Sequence, residues 1–304
     1  MTQTTVAFIG LGNMGAHMAA NLVKGGFTVR GYDPMPEARE RAEQAGIQNC
    51  ASAEEAARES QVVVTSLPNG KILLEALTGE HGLLAAAPAG SLFIDSSTVG
   101  VADCLAAREA VVAAGHTLVE SPMSGGTVGA EKGTLTFMVG ADDETDLERA
   151  RPVLEAMGSK IVHCGGAGAG QAVKLCNNMV LAINMIGISE AFVLAEKLGV
   201  SHQAFFDVAS TSTAQSWALN TNCPVPGPVP TSPANRDFEG GFMGALMAKD
   251  LGLAAGAIEL SGTDAQLGQL AVEIYRRFSE GEGGRKDFSG IIETIRQQST
   301  GKEA

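Results

Sequence analysis

The feature that most constrains this chain is Gly10-Leu11-Gly12-Asn13-Met14-Gly15, a GxGxxG pattern set directly after the β-branched run 4–9. The glycines lead into a segment with Met14, Met18 and Leu22 at helical spacing. A second β-like run, 28–33, then ends on an acid 18 residues after Gly15. Strand, glycine turn, helix and strand in that order make one βαβ unit, which requires a parallel sheet with a helix crossing it. In such a unit Gly10 permits the tight turn and Gly12 lets the backbone approach a pyrophosphate. Gly15 lets the helix pack closely on the strand. Open N–H groups and a positive dipole at the helix start favour phosphates. Asp33 is placed to accept hydrogen bonds from ribose hydroxyls and to repel a 2′-phosphate, so NAD is expected over NADP. A glycine turn that holds no ligand is the competing reading.

The alternation continues through the first half. Runs 61–67, 91–96, 117–122, 135–140 and 161–165 read as further strands. Helical segments lie between them at 36–45, 52–59 and 143–157, with Ser52 and Glu55 spaced as a capping box. Ligands of parallel sheets bind at the carboxyl ends of strands. Leu67-Pro68 and Ser96-Ser97-Thr98 follow two such ends and are expected to face the cofactor, although Thr98 suits a local turn or cap equally well. After Gly170 the pattern changes. Residues 171–198 hold no proline and no strand signal, enough for a helix of about 42 Å. A Pro-rich loop at 223–233 follows, then helices at 244–261, 263–279 and 287–298, the second with a Thr263/Gln266 capping box. The expected fold class is α/β. An N-terminal Rossmann-type doubly wound sheet (residues 1–165) is joined by a long interdomain helix to an all-α C-terminal domain (166–304), with 165–170 as a candidate hinge.

Composition excludes several functions. The 304 residues hold 21 Lys plus Arg against 34 Asp plus Glu, a formal charge of −13, which argues against a nucleic-acid surface. No apolar run approaches the ~18 residues of a membrane span, so no membrane association is expected. Neither a secretory nor an Arg-rich transit pattern opens the chain, and a cytoplasmic protein is expected. The five cysteines and five histidines are scattered, without CxxC or HExxH spacing, so neither a disulfide framework nor a metal site is expected.

Two other features carry chemistry. Lys174, Asn177, Asn178 and Leu181 fall at i, i+3, i+4 and i+7, so Lys174 and Asn178 share a helix face. Lys174 is the only charged residue between Gly170 and Glu190. Burial would make it costly and bring its pKa toward the range useful in proton transfer. A snorkelling lysine near a helix start is the plainer alternative. Ser124-Gly125-Gly126 ends a strand with successive small residues, whose backbone N–H groups suit a carboxylate or oxyanion; Gly129, Gly133 and Thr134 extend this loop. A glycine-rich turn without a ligand competes there too.

Taken together, FIGLGNMG (8–15), DSST (95–98), SPMSGGTVGAEKGTL (121–135), GAGQAVKLCNN (168–178) and MAKDLGLA (247–254) occur in order and resemble the β-hydroxyacid dehydrogenase family over essentially the whole chain. Glu120-Ser121 replaces the Asp of the family's usual DAPxSGG. SWALNTNCPVPG (216–227), SPANRDFEGGF (232–242) and YRRF with KDFS (275–278, 286–289) are similar to the branch that acts on 3-hydroxyisobutyrate. The resemblance implies that Lys174 is the catalytic acid/base and that Asn178 orients substrate and lysine. It implies that Ser124, Gly125 and Gly126 hold the substrate carboxylate, and that Thr98, Phe242 and Asp250 border the substrate pocket. Lys249 joins Gly10, Leu11, Gly12, Asn13, Met14, Gly15, Asp33, Leu67, Pro68 and Thr98 as a cofactor contact. Phe242 as plain core, and Lys249-Asp250 as a solvated pair, remain open alternatives. The expected reaction is NAD-dependent oxidation of 3-hydroxyisobutyrate to methylmalonate semialdehyde. L-serine, 3-hydroxypropionate and tartronate semialdehyde are alternative substrates, and a non-catalytic nucleotide-binding scaffold is a reading of another class. The apolar stretch 179–194 suggests a homo-oligomer, dimer or tetramer.

Overall fold

The structure is a computed structural model. It describes residues 4–300, with side chains through residue 299. Two compact units are distinguished, Met1–Lys174 and Leu175–Ala304. The first contains β1 (Thr5–Ile9), α1 (Gly15–Lys24), β2 (Thr28–Tyr32), α2 (Pro36–Gln44), β3 (Gln48–Asn49), α3 (Ala53–Arg58), β4 (Val62–Thr65), α4 (Gly70–Thr78) and α5 (Leu83–Ala86). It continues with β5 (Leu92–Asp95), α6 (Val101–Ala113), β6 (Thr117–Glu120), β7 (Met123–Ser124), α7 (Gly126–Lys132), β8 (Leu135–Gly140), α8 (Glu144–Met157) and β9 (Gly158–Gly165). A single long helix, α9 (Ala169–Lys197), starts in this unit. The second unit adds α10 (His202–Ala209), α11 (Trp217–Asn220), α12 (Gly244–Ser261), α13 (Gln266–Glu280) and α14 (Ile291–Thr300).

Among the described residues nine strands form one sheet in the order β3-β2-β1-β4-β5-β6-β8-β7, with β9 paired to β8. The first six strands are parallel, and β8 runs antiparallel to β6 and β7. This is the doubly wound arrangement, in which strand order reverses between β1 and β4. Helices on both faces explain why β4 and β5 are buried throughout rather than alternating. On β1 the alternation separates two cores. Val6 and Phe8 pack with Met18 and Leu22 of α1. Ala7 and Ile9 pack with Leu73 and Leu77 of α4 and Val111 of α6.

In the second unit, Ala182, Met185 and Ile186 of α9 share a core with Met247 and Leu251 of α12 and with Ala271 and Tyr275 of α13. The Pro-rich loop is ordered. Cys223 and Val225 are fully buried, and Ser232 Oγ donates to the Cys223 carbonyl at 2.5 Å.

Several sequence expectations need correction. Ser124–Gly126 does not open an irregular loop: Gly126 begins the short helix α7. Successive glycines masked its helical period. Thr263 does not cap α13. That helix starts at Gln266 without a side-chain cap, and Thr263 Oγ1 instead pairs with Ser261 Oγ at 2.8 Å. The segment expected as one helix from residue 287 begins as a 3-10 turn, Phe288–Gly290, capped by Asp287. The Ser52 cap does form, with Glu55 N–H donating to Ser52 Oγ at 3.0 Å.

Nor is α9 short of apolar length. It contains a window of hydropathy 1.7, long and apolar enough to cross a membrane by length and composition, of which 44% is buried inside the protein.

The 165–170 stretch is hydrogen-bonded to neighbouring backbone and side chains of the first unit. Ala141 N–H donates to the Gly165 carbonyl at 3.0 Å, and Ala167 N–H to Asp142 Oδ1 at 2.8 Å. The two compact units divide after Lys174. At Gly170 a Cβ would stand 2.3 Å from the Met138 carbonyl oxygen, so the start of α9 lies directly on β8. Gly170→Ala must lift that turn. We expect a loss of about 1–3 kcal/mol in denaturant unfolding; unchanged stability would contradict this close approach.

Candidate active site

Strand order reverses between β1 and β4, and it is outside the carboxyl ends of strands at such a point that doubly wound sheets bind ligands. Gly10 has φ of +97°, and a Cβ there would stand 2.2 Å from the Ser66 carbonyl oxygen. A side chain on Gly15 would meet the Gly10 carbonyl oxygen at 1.9 Å. Both glycines are therefore required by the chain's own packing. Gly12 is different: it is exposed, and no atom lies within 4 Å of its Cβ position. Its empty cradle fits a group brought close to the backbone from outside, as a pyrophosphate would be. Asn13 is exposed and Met14 half-buried, and no side chain caps the start of α1, where Ala16 N–H donates to the Gly12 carbonyl at 3.0 Å.

Asp33 follows the end of β2 and is 9% exposed. Its two oxygens accept from Leu11 N–H at 2.8 Å and Met35 N–H at 2.9 Å. The carboxylate thus holds the glycine turn itself, a task the sequence did not reveal. It retains lone pairs for ribose hydroxyls.

The ends of β4 and β5 are tied together by side-chain hydrogen bonds. Asp95 Oδ1 accepts from Thr65 Oγ1 at 2.7 Å, Ser97 Oγ at 2.6 Å and Ser97 N–H at 3.1 Å. Leu67 N–H donates to Ser97 Oγ at 2.8 Å, so Leu67, Pro68 and Thr98 sit on linked strand ends. Asp95 Oδ2 is buried without a hydrogen-bond partner among the described residues. Burial pushes the Asp95 pKa up to about 6. Hydrogen bonds from Ser97 and Thr65 oppose the shift, and the charge of Glu120, its partner in register on β6, adds to it.

Glu120 is also buried. One oxygen accepts from Gly170 N–H at 2.8 Å, and the other takes the Cys104 thiol proton bond. Burial raises its pKa, against bonds from Cys104 and from the Gly170, Gly168 and Gln171 backbone. Those backbone groups are the open N–H donors at the start of α9, so Glu120 caps that helix from the end of β6. Gln171, fully buried, donates from Nε2 to the Ser97 carbonyl at 2.8 Å and accepts Val99 N–H at Oε1 at 3.2 Å. One turn later comes Lys174, 8% exposed, so the exposed, snorkelling alternative does not hold. Ser124 lies half-buried in β7, paired with Thr136, while Gly125 and Gly126 are exposed with φ of +134° and +62°.

The second unit holds the other candidates. Asn178, 3% exposed, donates from Nδ2 to Asp250 Oδ2 at 2.6 Å and accepts from Asn177 Nδ2 at 3.0 Å. Asp250 is 4% exposed and also pairs with Lys249 Nζ at 3.1 Å. Lys249-Asp250 is therefore not a solvated pair, and Asp250 fixes the Asn178 amide. Phe242 is half-buried against the Phe288 ring, 5.8 Å between centroids. Its N–H donates to Asp287 Oδ2 at 2.8 Å, and Asn222 Nδ2 holds the other Asp287 oxygen at 2.9 Å. Asp95, Glu120, Gln171, Asn222 and Asp287 escaped the sequence reading. Each makes at least one long-range bond that no local spacing encodes.

Residues 5–166 match the family model described as the NAD binding domain of 6-phosphogluconate dehydrogenase. Residues 168–295 match the one described as NAD-binding of NADP-dependent 3-hydroxyisobutyrate dehydrogenase. A probable 3-hydroxyisobutyrate dehydrogenase of Mycobacterium tuberculosis is 53% identical over 296 residues, 97% of this chain and 99% of that protein. The chain belongs to the β-hydroxyacid dehydrogenase family. A solved structure of 3-hydroxyisobutyrate dehydrogenase from M. tuberculosis with L-serine matches with a TM-score of 0.92, covering 97% of this chain and 100% of that one. An NAD-dependent L-serine dehydrogenase of Pseudomonas aeruginosa is 41% identical over 286 residues, 94% of this chain and 96% of that protein. As a β-hydroxyacid dehydrogenase the chain uses a nicotinamide dinucleotide, in keeping with the Gly12 cradle and the Asp33 carboxylate.

The raised Asp95 pKa has a consequence for stability. Unfolded, the group titrates near 3.8; folded, near 6. Between those values the folded chain binds the extra proton, so stability falls as pH rises through the window, by at most about 3 kcal/mol from this group. Asp95→Asn should remove that fall. The variant's stability relative to wild type is expected to increase from pH 4 to 6 and level off above, in urea unfolding. A difference that does not change with pH would refute it.

Proposed function

We propose that this chain oxidises 3-hydroxyisobutyrate to methylmalonate semialdehyde with NAD, the step required in valine degradation. The observation that carries the reading is the buried Lys174, set one turn into a helix whose start is anchored to the sheet by Glu120 and Gln171. During oxidation Lys174 Nζ takes the proton of the substrate hydroxyl, and during reduction it returns it. The bound dinucleotide supplies the hydride acceptor. Asn178, fixed by Asp250, orients the hydroxyl and the lysine. Ser124, Gly125 and Gly126 hold the substrate carboxylate, with Thr98 and Phe242 bordering the remainder and Lys249 meeting the cofactor. Asp33 favours NAD, since its carboxylate repels a 2′-phosphate.

L-serine is the second reading. The similar M. tuberculosis structure is described with L-serine, and the P. aeruginosa relative is named for it. The two substrates differ by an amine in place of a methyl, and a methyl is worth only ~1–3 kcal/mol of discrimination. We further propose a cytoplasmic homo-oligomer. Leu194, Leu198, Leu260 and Leu267 are each more than half exposed, which favours cover by a second copy. Light scattering on the purified chain should show a mass above one chain; a clean monomer would overturn that part.

The substrate reading predicts that NADH forms fastest with 3-hydroxyisobutyrate in a panel containing L-serine, 3-hydroxypropionate and tartronate-type hydroxy acids, with NAD preferred over NADP. No turnover of 3-hydroxyisobutyrate would end it. Lys174→Ala should lower kcat by about 10²- to 10⁴-fold while NAD affinity holds. An unaltered kcat would remove the lysine from the chemistry.

A further inference from the structure

We propose that Gln171 is a positioning residue for this dehydrogenase. Its side-chain amide ties segment 97–99, and therefore Thr98, to the helical turn that presents Lys174. The inference rests on the role proposed for Lys174, and concerns what holds that lysine in register with the strand end.

Segment 97–99 lies beyond the β5 ladder, which closes with Ser96 N–H donating to the Thr65 carbonyl at 2.8 Å. From one side it is held by Asp95, through Ser97 N–H and Oγ. From the other it is held by Gln171, which accepts Val99 N–H and donates to the Ser97 carbonyl. The two Gln171 bonds use opposite ends of one planar amide and bracket Thr98 from both neighbours. A two-point contact of this kind resists sliding and rotation together, which a single hydrogen bond does not. Gln171 is fully buried, so water cannot replace either bond. It lies three positions before Lys174, one turn along the same side of α9. Gly170, the preceding residue, rests on β8 and is capped by Glu120, which leaves this turn little room to shift independently. A displacement of Thr98 is thus transmitted to the turn bearing the lysine, and the reverse. Glutamine fits this task specifically. Glutamate keeps the acceptor for Val99 N–H but lacks the donor for Ser97 O, and asparagine is one methylene too short for the same span.

The test uses full-length Gln171→Met and Gln171→Glu, studied below their unfolding temperatures. Positioning predicts that kcat for hydroxy-acid oxidation falls about 10- to 100-fold in Gln171→Met. KM and NAD affinity should stay near wild type, and the primary deuterium isotope effect should rise as hydride transfer becomes limiting. Gln171→Glu, with one bond retained, should fall between. A lowered unfolding temperature with wild-type kcat would mean that the amide merely satisfies loop backbone, and would overturn the proposal. Hydrogen exchange on the NAD-bound protein gives a readout independent of turnover. Gln171→Met should raise exchange at 97–99 and at 171–175 together; a rise at 97–99 alone overturns the coupling whether or not a substrate has been found. Absence of turnover in the wild type, or full activity in Lys174→Ala, would instead defeat the reading on which the proposal rests.

Discussion

The rest of this site depends on one buried carboxylate at a helix start. Glu120 leaves the end of β6 and accepts the Gly170 N–H, so the sheet and the first turn of α9 are joined by a bond made in low dielectric. Its surroundings are shaped for it. A side chain on Gly140 would stand 1.9 Å from Glu120 Oε1, and a side chain on Gly170 would strike β8. Burying an acid is costly unless its oxygens are satisfied. Here backbone donors and the Cys104 thiol satisfy them, and the helix dipole favours the negative charge. Through this contact the placement of Lys174 follows from the sheet rather than from the remainder of α9.

A second buried acid, Asp95, does related work at the neighbouring strand end. The two carboxylates face each other in register, which helps to keep the Asp95 pKa high. Asp95 organises Thr65, Ser97 and, through Ser97, the Leu67 turn. The cofactor-side loops are therefore not independent surface turns. They form one hydrogen-bonded layer resting on buried acids, which suits a site that must hold two anions on a chain of net charge −13. Any attraction has to arise locally, against the field of the whole.

Much of this was legible in the sequence, for definable reasons. β4 and β5 announce themselves because burial on both faces makes them continuous apolar runs, whereas the exposed, two-residue β3 leaves no such signal. The GxGxxG turn is legible because its glycines answer to backbone sterics, visible at Gly10 and Gly15. The start of α7 was hidden, since Gly125 and Gly126 carry no periodic side chains. Thr263 looked like a cap by spacing, but its hydroxyl finds Ser261 first. Asp33 was read for its ribose role, while its bond to Leu11 N–H crosses two elements and leaves no local trace. Glu120 was visible only as a departure from the family's aspartate, and Gln171 only as a letter inside a matching string. Their partners lie 50 and more than 70 positions away in sequence.

The central claim is that the Glu120 contact sets the lysine in place. Its most direct test is the rate of NADH formation in a single turnover on the NAD-bound enzyme, wild type against Glu120→Ala, at a temperature where both are folded by circular dichroism. The account predicts a rate at least about tenfold lower in the variant with NAD affinity preserved. A rate equal to wild type would contradict it.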